Sequence, residues 1–188
     1  MKENEYAIHG RMALLFLALN VCLIPCFASN NVLIVGDSMG EFMGKTLETF
    51  CPGSEVYNGG IGGTTADDWA EATEDIIAGC SLDSYDSVYI SVGGNDALNS
   101  GCSIGISELA DKIDDAVSNI VRNIVPSASI YFLTGYCVPP GPVDSGCTSP
   151  SAMAVLTASL SLLQKNGFSV QETDSGIDIS IIDSWSAC

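Results

Sequence analysis

Between Asn31 and Gly40 the sequence runs NVLIVGDSMG, a short apolar stretch that breaks at Gly36 and enters a helix-like segment. Three of its four apolar residues are β-branched, and such a run bounded by a turn reads as a buried parallel strand. The rest of the chain repeats the alternation. Ser54 to Tyr57, Ser87 to Val92, Ser129 to Thr134 and Ile177 to Ile182 read as further strands. Helical spacing covers Met39 to Phe50, with Phe42, Leu47 and Phe50 as its apolar positions. It recurs over Ala66 to Ala78, with Trp69, Ile76 and Ile77 inward, and over Ile106 to Val125, which Pro126 stops. A last helix is expected from Ser151 to Lys165, closed by Gly167. Strands alternating with helices imply one α/β domain, a five-stranded parallel sheet between two helical layers.

Charge narrows the function. The 188 residues carry 6 basic and 23 acidic side chains, a formal net charge of -17. Such a field repels nucleic acid and anionic membranes, so neither is expected as a partner. The amino end stands apart from the core. Lys2 and Arg11 precede the apolar run Met12 to Phe27, and small residues Ala28 and Ser29 follow it. Basic flank, apolar stretch and small-residue exit make residues 1–28 a signal peptide, with the folded domain over residues 30–188. The expectation is a secreted protein cleaved after Ala28; the alternative is an uncleaved signal anchor. Outside that leader six cysteines remain, which in an exported chain suggests disulfides, Cys137 with Cys147 first. No C-x-x-C spacing occurs and the single histidine is His9, so zinc is not expected.

The polar residues fall at the carboxyl ends of the strands, the edge where an open α/β sheet keeps its ligands. Ser38 follows the first strand and is a nucleophile candidate, though Asp37 or Ser38 equally suits a helix cap. The cluster Asn58 to Thr65, NGGIGGTT, lets backbone amides approach a substrate, with Gly63 well placed to offer one; a tight turn also uses glycine. Asn95, in Gly93-Gly94-Asn95-Asp96, can donate a side-chain amide to a developing negative charge or make an Asx turn. Asp37, Asp96 and Asp183 together raise the question of a hard cation, but no compact ligand motif is present, and no metal or cofactor is expected.

Taken in order, Gly36-Asp37-Ser38-Met39, Asn58 to Thr64 and Gly93-Gly94-Asn95-Asp96 resemble the motif blocks of the GDSL or SGNH hydrolases. Met39 stands where that family usually has leucine. The resemblance spans about Val32 through the fifth strand. It implies a flavodoxin-like three-layer α/β/α sandwich and a serine ester hydrolase acting through an acyl-enzyme. Ser38 would be the nucleophile, with its own amide, Gly63 and Asn95 as the oxyanion hole. Asp37, Asn58 and Asp96 are the further candidates for substrate contact. The substrate would be a small-molecule, lipid or carbohydrate ester.

One block departs. The family's Asp-x-x-His supplies the general base, whereas the nearest spacing here is Asp183-Ser184-Trp185-Ser186. Serine takes no proton near neutral pH, so this relay lacks its base. Two expectations follow: a chain truncated before that block, or an inactive secreted binding protein on the same fold. Trp185 is a candidate for lining a pocket, and Asp183 reads as the polar end of its strand.

Overall fold

The computed structural model describes residues 31–71, 85–123, 128–134, 147, 149–169 and 179–183. Five strands form one sheet: β1 (Asn31–Gly36), β2 (Glu55–Gly60), β3 (Ser87–Ser91), β4 (Ser129–Thr134) and β5 (Ile179–Asp183). Their order is β2-β1-β3-β4-β5 and every pairing is parallel. This is the flavodoxin-like order, in which the chain reverses direction across the sheet beside β1. The expected three-layer sandwich is therefore the observed one.

Helices α1 (Ser38–Phe50), α2 (Ala66–Glu71), α3 (Gly94–Asn99), α4 (Ile106–Arg122) and α5 (Ser149–Asn166) fill the outer layers. Alternation along β1 divides the core. Val32 and Ile34 face α1 and pack with Met43, Leu47, Tyr89 and Leu133. Leu33 and Val35 face the other way, toward Trp69 of α2, Ile113 and Val117 of α4 and Leu156 of α5. A stripe of buried apolar residues on α4, from Leu109 to Val121, supplies the largest helical contribution to that side. Trp69 is fully buried, as expected.

Differences from the expected elements have local causes. Phe42 is 41% exposed while Met43 is buried, because Met43 lies one turn from Leu47 and Phe42 does not. Strand β2 continues through Asn58, Gly59 and Gly60, whose pairing with Ile34, Val35 and Gly36 outweighs the weak strand preference of glycine. The short helix α3 takes up residues that read as a turn. Gly167, at φ +86°, ends α5 as expected. Asp183 is the last residue of β5, opposite Thr134. The signal peptide, Ile76, Ile77, Cys137 and Trp185 lie outside the described residues.

The expected Cys137–Cys147 bridge is not formed. Cys147 pairs with Cys102 instead, their Cα atoms 5.3 Å apart and 45 residues apart in sequence. The bridge ties the segment before α5 to the loop after α3, where the Cys147 sulfur also lies 3.9 Å from the Ala97 carbonyl. Cys51 is also disulfide-bonded. Replacing both Cys102 and Cys147 with serine is expected to cost about 2–4 kcal/mol, because a closed loop of this length restricts the unfolded chain. A lower urea midpoint for the double variant, with a slope that rises as the unfolded chain expands, checks this.

Candidate active site

Three strand ends converge where the chain turns from sheet to helix. At the first, Asp37 caps α1: its Oδ1 accepts from the Met39 amide at 2.9 Å and from the Ser91 hydroxyl at 3.0 Å. Its own amide donates to the Ser91 carbonyl at 2.8 Å, joining the ends of β1 and β3. With the cap supplied by Asp37, the Ser38 side chain begins the helix exposed to solvent.

The second strand end lies alongside. The Ile61 amide donates to the Gly36 carbonyl at 2.8 Å, carrying the chain past the top of β1. Gly62 then sits beside Ser38: a Cβ built on it would be 3.8 Å from the Ser38 Cβ. Gly63 has φ +85°, a conformation that suits glycine, and a Cβ there would meet nothing within 4 Å. Its surroundings are open. Thr64 fixes the far end of the strip, its hydroxyl donating to the Ile61 carbonyl at 2.9 Å and accepting from the Trp69 indole at 2.9 Å.

The third end comes from α3. Asn95 Nδ2 donates to the Thr64 carbonyl at 2.8 Å, so the side-chain amide of the third motif is fastened to the end of the second. That bond uses one of the two amide hydrogens and leaves a second donor on the same nitrogen. Ser38, Gly63 and Asn95 thus lie on three segments that are cross-linked to one another. The expected gathering of polar residues at one sheet edge is present.

Three further candidates have other duties. Asp37 is buried as the cap. Asp96 is buried and accepts from the Ala66 amide at 2.8 Å, closing the start of α2. Asn58 donates to the Glu41 carbonyl at 2.9 Å and accepts from the Gly60 amide at 3.2 Å. Each of these candidates for substrate contact thus also makes a hydrogen bond that holds the fold. Glu41 went unnoticed in the sequence. It stands one turn after Ser38, and its carboxylate pairs with Lys45 Nζ at 2.5 Å.

Burial gives Asp37 an unusual titration. Desolvation pushes its pKa up to about 6, against the lowering effect of its hydrogen bonds from Met39 and Ser91. Burial also raises Asp96. Folded Asp37 holds a proton to about pH 6 where the unfolded chain releases it near 3.8. Between those values the native state binds more protons, so stability rises as pH falls from 6 toward 4. Asn in place of Asp37 keeps the acceptor oxygen and removes the buried charge. The expected result is a gain of about 2–3 kcal/mol over wild type at pH 7, fading by pH 4. Urea unfolding of both proteins at the two pH values tests it.

No protein-family model and no curated protein matches the chain. Solved structures do. A Streptococcus pneumonia protein described as a platelet activating factor superposes with a TM-score of 0.56 at 15% identity, over 94% of this chain and 75% of its own. A Bacteroides fragilis protein described as an acylhydrolase gives 0.55 at 20% identity, over 84% of this chain and 69% of its own. The chain shares their fold. AlinE4, an SGNH-hydrolase family esterase, gives 0.49 at 14% identity, over 80% and 75%. At such identities the likeness is one of architecture, and the chemistry has to be argued from Ser38 and its neighbours.

Proposed function

We propose that this site hydrolyses carboxylic esters through a covalent acyl-enzyme on Ser38. What supports the reading is the linkage of three strand ends around an exposed serine: Gly62 beside Ser38, and the Asn95 amide on the Thr64 carbonyl at 2.8 Å. In the proposed reaction Ser38 Oγ attacks the ester carbonyl carbon and gives up its proton to a base. The carbonyl oxygen becomes an oxyanion, which the amides of Ser38 and Gly63 and the second Asn95 hydrogen stabilise. Collapse expels the alcohol, which takes a proton, and water then hydrolyses the acyl-serine. Donors fixed in place before reaction need no reorganisation during it, which makes such a hole effective.

The sequence offers no histidine after His9, so the proton acceptor has to be supplied. Serine at Ser186, three residues after Asp183, supports a second reading, a secreted binding protein that keeps the crevice and not the turnover. The two separate by chemistry. A fluorophosphonate, with imidazole present as external base, is expected to modify Ser38 in the first reading. In the second, no serine is modified while a ligand still binds to Ser38→Ala.

Export also belongs to the proposal. The leader-like amino end and the Cys102–Cys147 bridge support an oxidising destination. Lipid, carbohydrate and small-molecule esters all remain within the substrate class.

A further inference from the structure

Gly62 and Gly63 have no side chains to anchor them, so their place beside Ser38 depends on what their backbone touches. The far end of the strip is tied to Gly36, Trp69 and Asn95 through Ile61 and Thr64, and the near end meets Glu41. The Glu41 carbonyl accepts from Asn58 Nδ2 at 2.9 Å. The Glu41 amide faces Gly60 so closely that a Cβ on Gly60 would lie 2.1 Å from it. The Glu41 carboxylate lies against Gly62, whose amide helps to hold it ionised. A Cβ on Gly62 would stand 3.2 Å from Glu41 Oε2 and 3.8 Å from the Ser38 Cβ, so the carboxylate and the serine flank the same glycine. Asn58 and Gly60 thus rest on the Glu41 backbone, and the Glu41 side chain alone reaches on to Gly62.

We propose that Glu41 is a positioning residue, which fastens the Asn58–Gly63 strip to the first turn of α1 and so sets the Gly63 amide relative to Ser38. For its kinetic readout this rests on the ester-hydrolase reading; the clamp itself does not. A carboxylate is the stronger kind of acceptor for a backbone amide. Unpaired, its charge would oppose an oxyanion forming nearby, and Lys45, at 2.5 Å, offsets that charge. The pair is exposed, and exposed pairs contribute little to global stability. Its effect is therefore on placement.

The test compares wild type with Glu41→Ala and Glu41→Gln. The rate at which a fluorophosphonate modifies Ser38 is measured with imidazole present, beside thermal melting and amide hydrogen exchange at Gly62 and Gly63. Glu41→Ala is expected to slow Ser38 modification about tenfold or more and to speed exchange by a similar factor, with a melting temperature near that of wild type. Glu41→Gln keeps an acceptor oxygen and is expected to stay within about threefold of wild type in both. Exchange at Gly62 and Gly63 in Glu41→Ala matching wild type overturns the proposal, as does unchanged modification of Ser38. Should Ser38 of the wild-type chain resist modification altogether, the ester-hydrolase reading fails, and exchange alone decides on the clamp.

Discussion

Gly36→Ala is expected to lower stability by more than about 4 kcal/mol, beyond the range of ordinary substitutions, or to prevent folding. Two independent causes act at that position. Gly36 has φ +130°, which residues with a Cβ rarely adopt, and a Cβ built there falls 1.9 Å from the Ser91 carbonyl oxygen. That oxygen belongs to backbone and accepts from the Asp37 amide at 2.8 Å, so relief requires parting β1 from β3. The Gly36 carbonyl holds the Ile61 amide as well, and displacement there would shift the glycine strip. Chemical denaturation of the purified variant measures the loss. A variant within about 1 kcal/mol of wild type would mean that β1 and β3 do not approach as described.

The same packing explains how much of the fold could be read in the sequence. β1 and β4 were legible because their apolar runs are short, β-branched or aromatic, and bounded by turn residues. α4 was legible because one face from Leu109 to Val121 is apolar but for Ser118, although it ends at Arg122 before the apolar pattern does. β2 was placed too short, since Asn58-Gly59-Gly60 has the composition of a loop and only the pairing to β1 makes it strand. α3 was missed for the opposite reason. Its helix is short, begins at Gly94, and is stabilised by Asp96 reaching to Ala66 and by the turn at Ser100 to Cys102.

At the site, residue types were legible and their division of labour was not. Asp37-Ser38 allowed either residue to cap α1, and the hydrogen bond from Met39 assigns the cap to Asp37. Asn95 was expected at the crevice, and it is there because Thr64 receives its amide. Asn58 and Asp96 carry the same polar chemistry but spend it on α1 and α2. Nothing in local sequence separates these cases, because the partners lie 17 to 31 residues away. Glu41 escaped for a related reason: an i,i+4 pair with Lys45 reads as ordinary surface charge. The Cys102–Cys147 bridge depends on where α3 ends, which the sequence did not reveal.

Ser38→Ala is expected to act in the opposite way to Gly36→Ala, sparing the fold and removing the chemistry. Ser38 is exposed and Asp37 supplies the cap, so the variant should unfold like wild type. On the ester-hydrolase reading turnover depends on its hydroxyl, and its loss is expected to cost several orders of magnitude. Because the sequence carries no histidine after His9, little turnover is expected of this chain without an added base.

The most direct measurement is therefore hydrolysis of an activated acetyl ester by wild type and Ser38→Ala, across a range of imidazole concentrations. Imidazole also cleaves such esters unaided, so the protein's share is the rate above imidazole alone. The account predicts a wild-type share that grows with imidazole and with the neutral fraction of imidazole as pH rises, and none for Ser38→Ala. An equal share from both proteins, or none from a folded wild type, contradicts Ser38 as the nucleophile of an ester hydrolase.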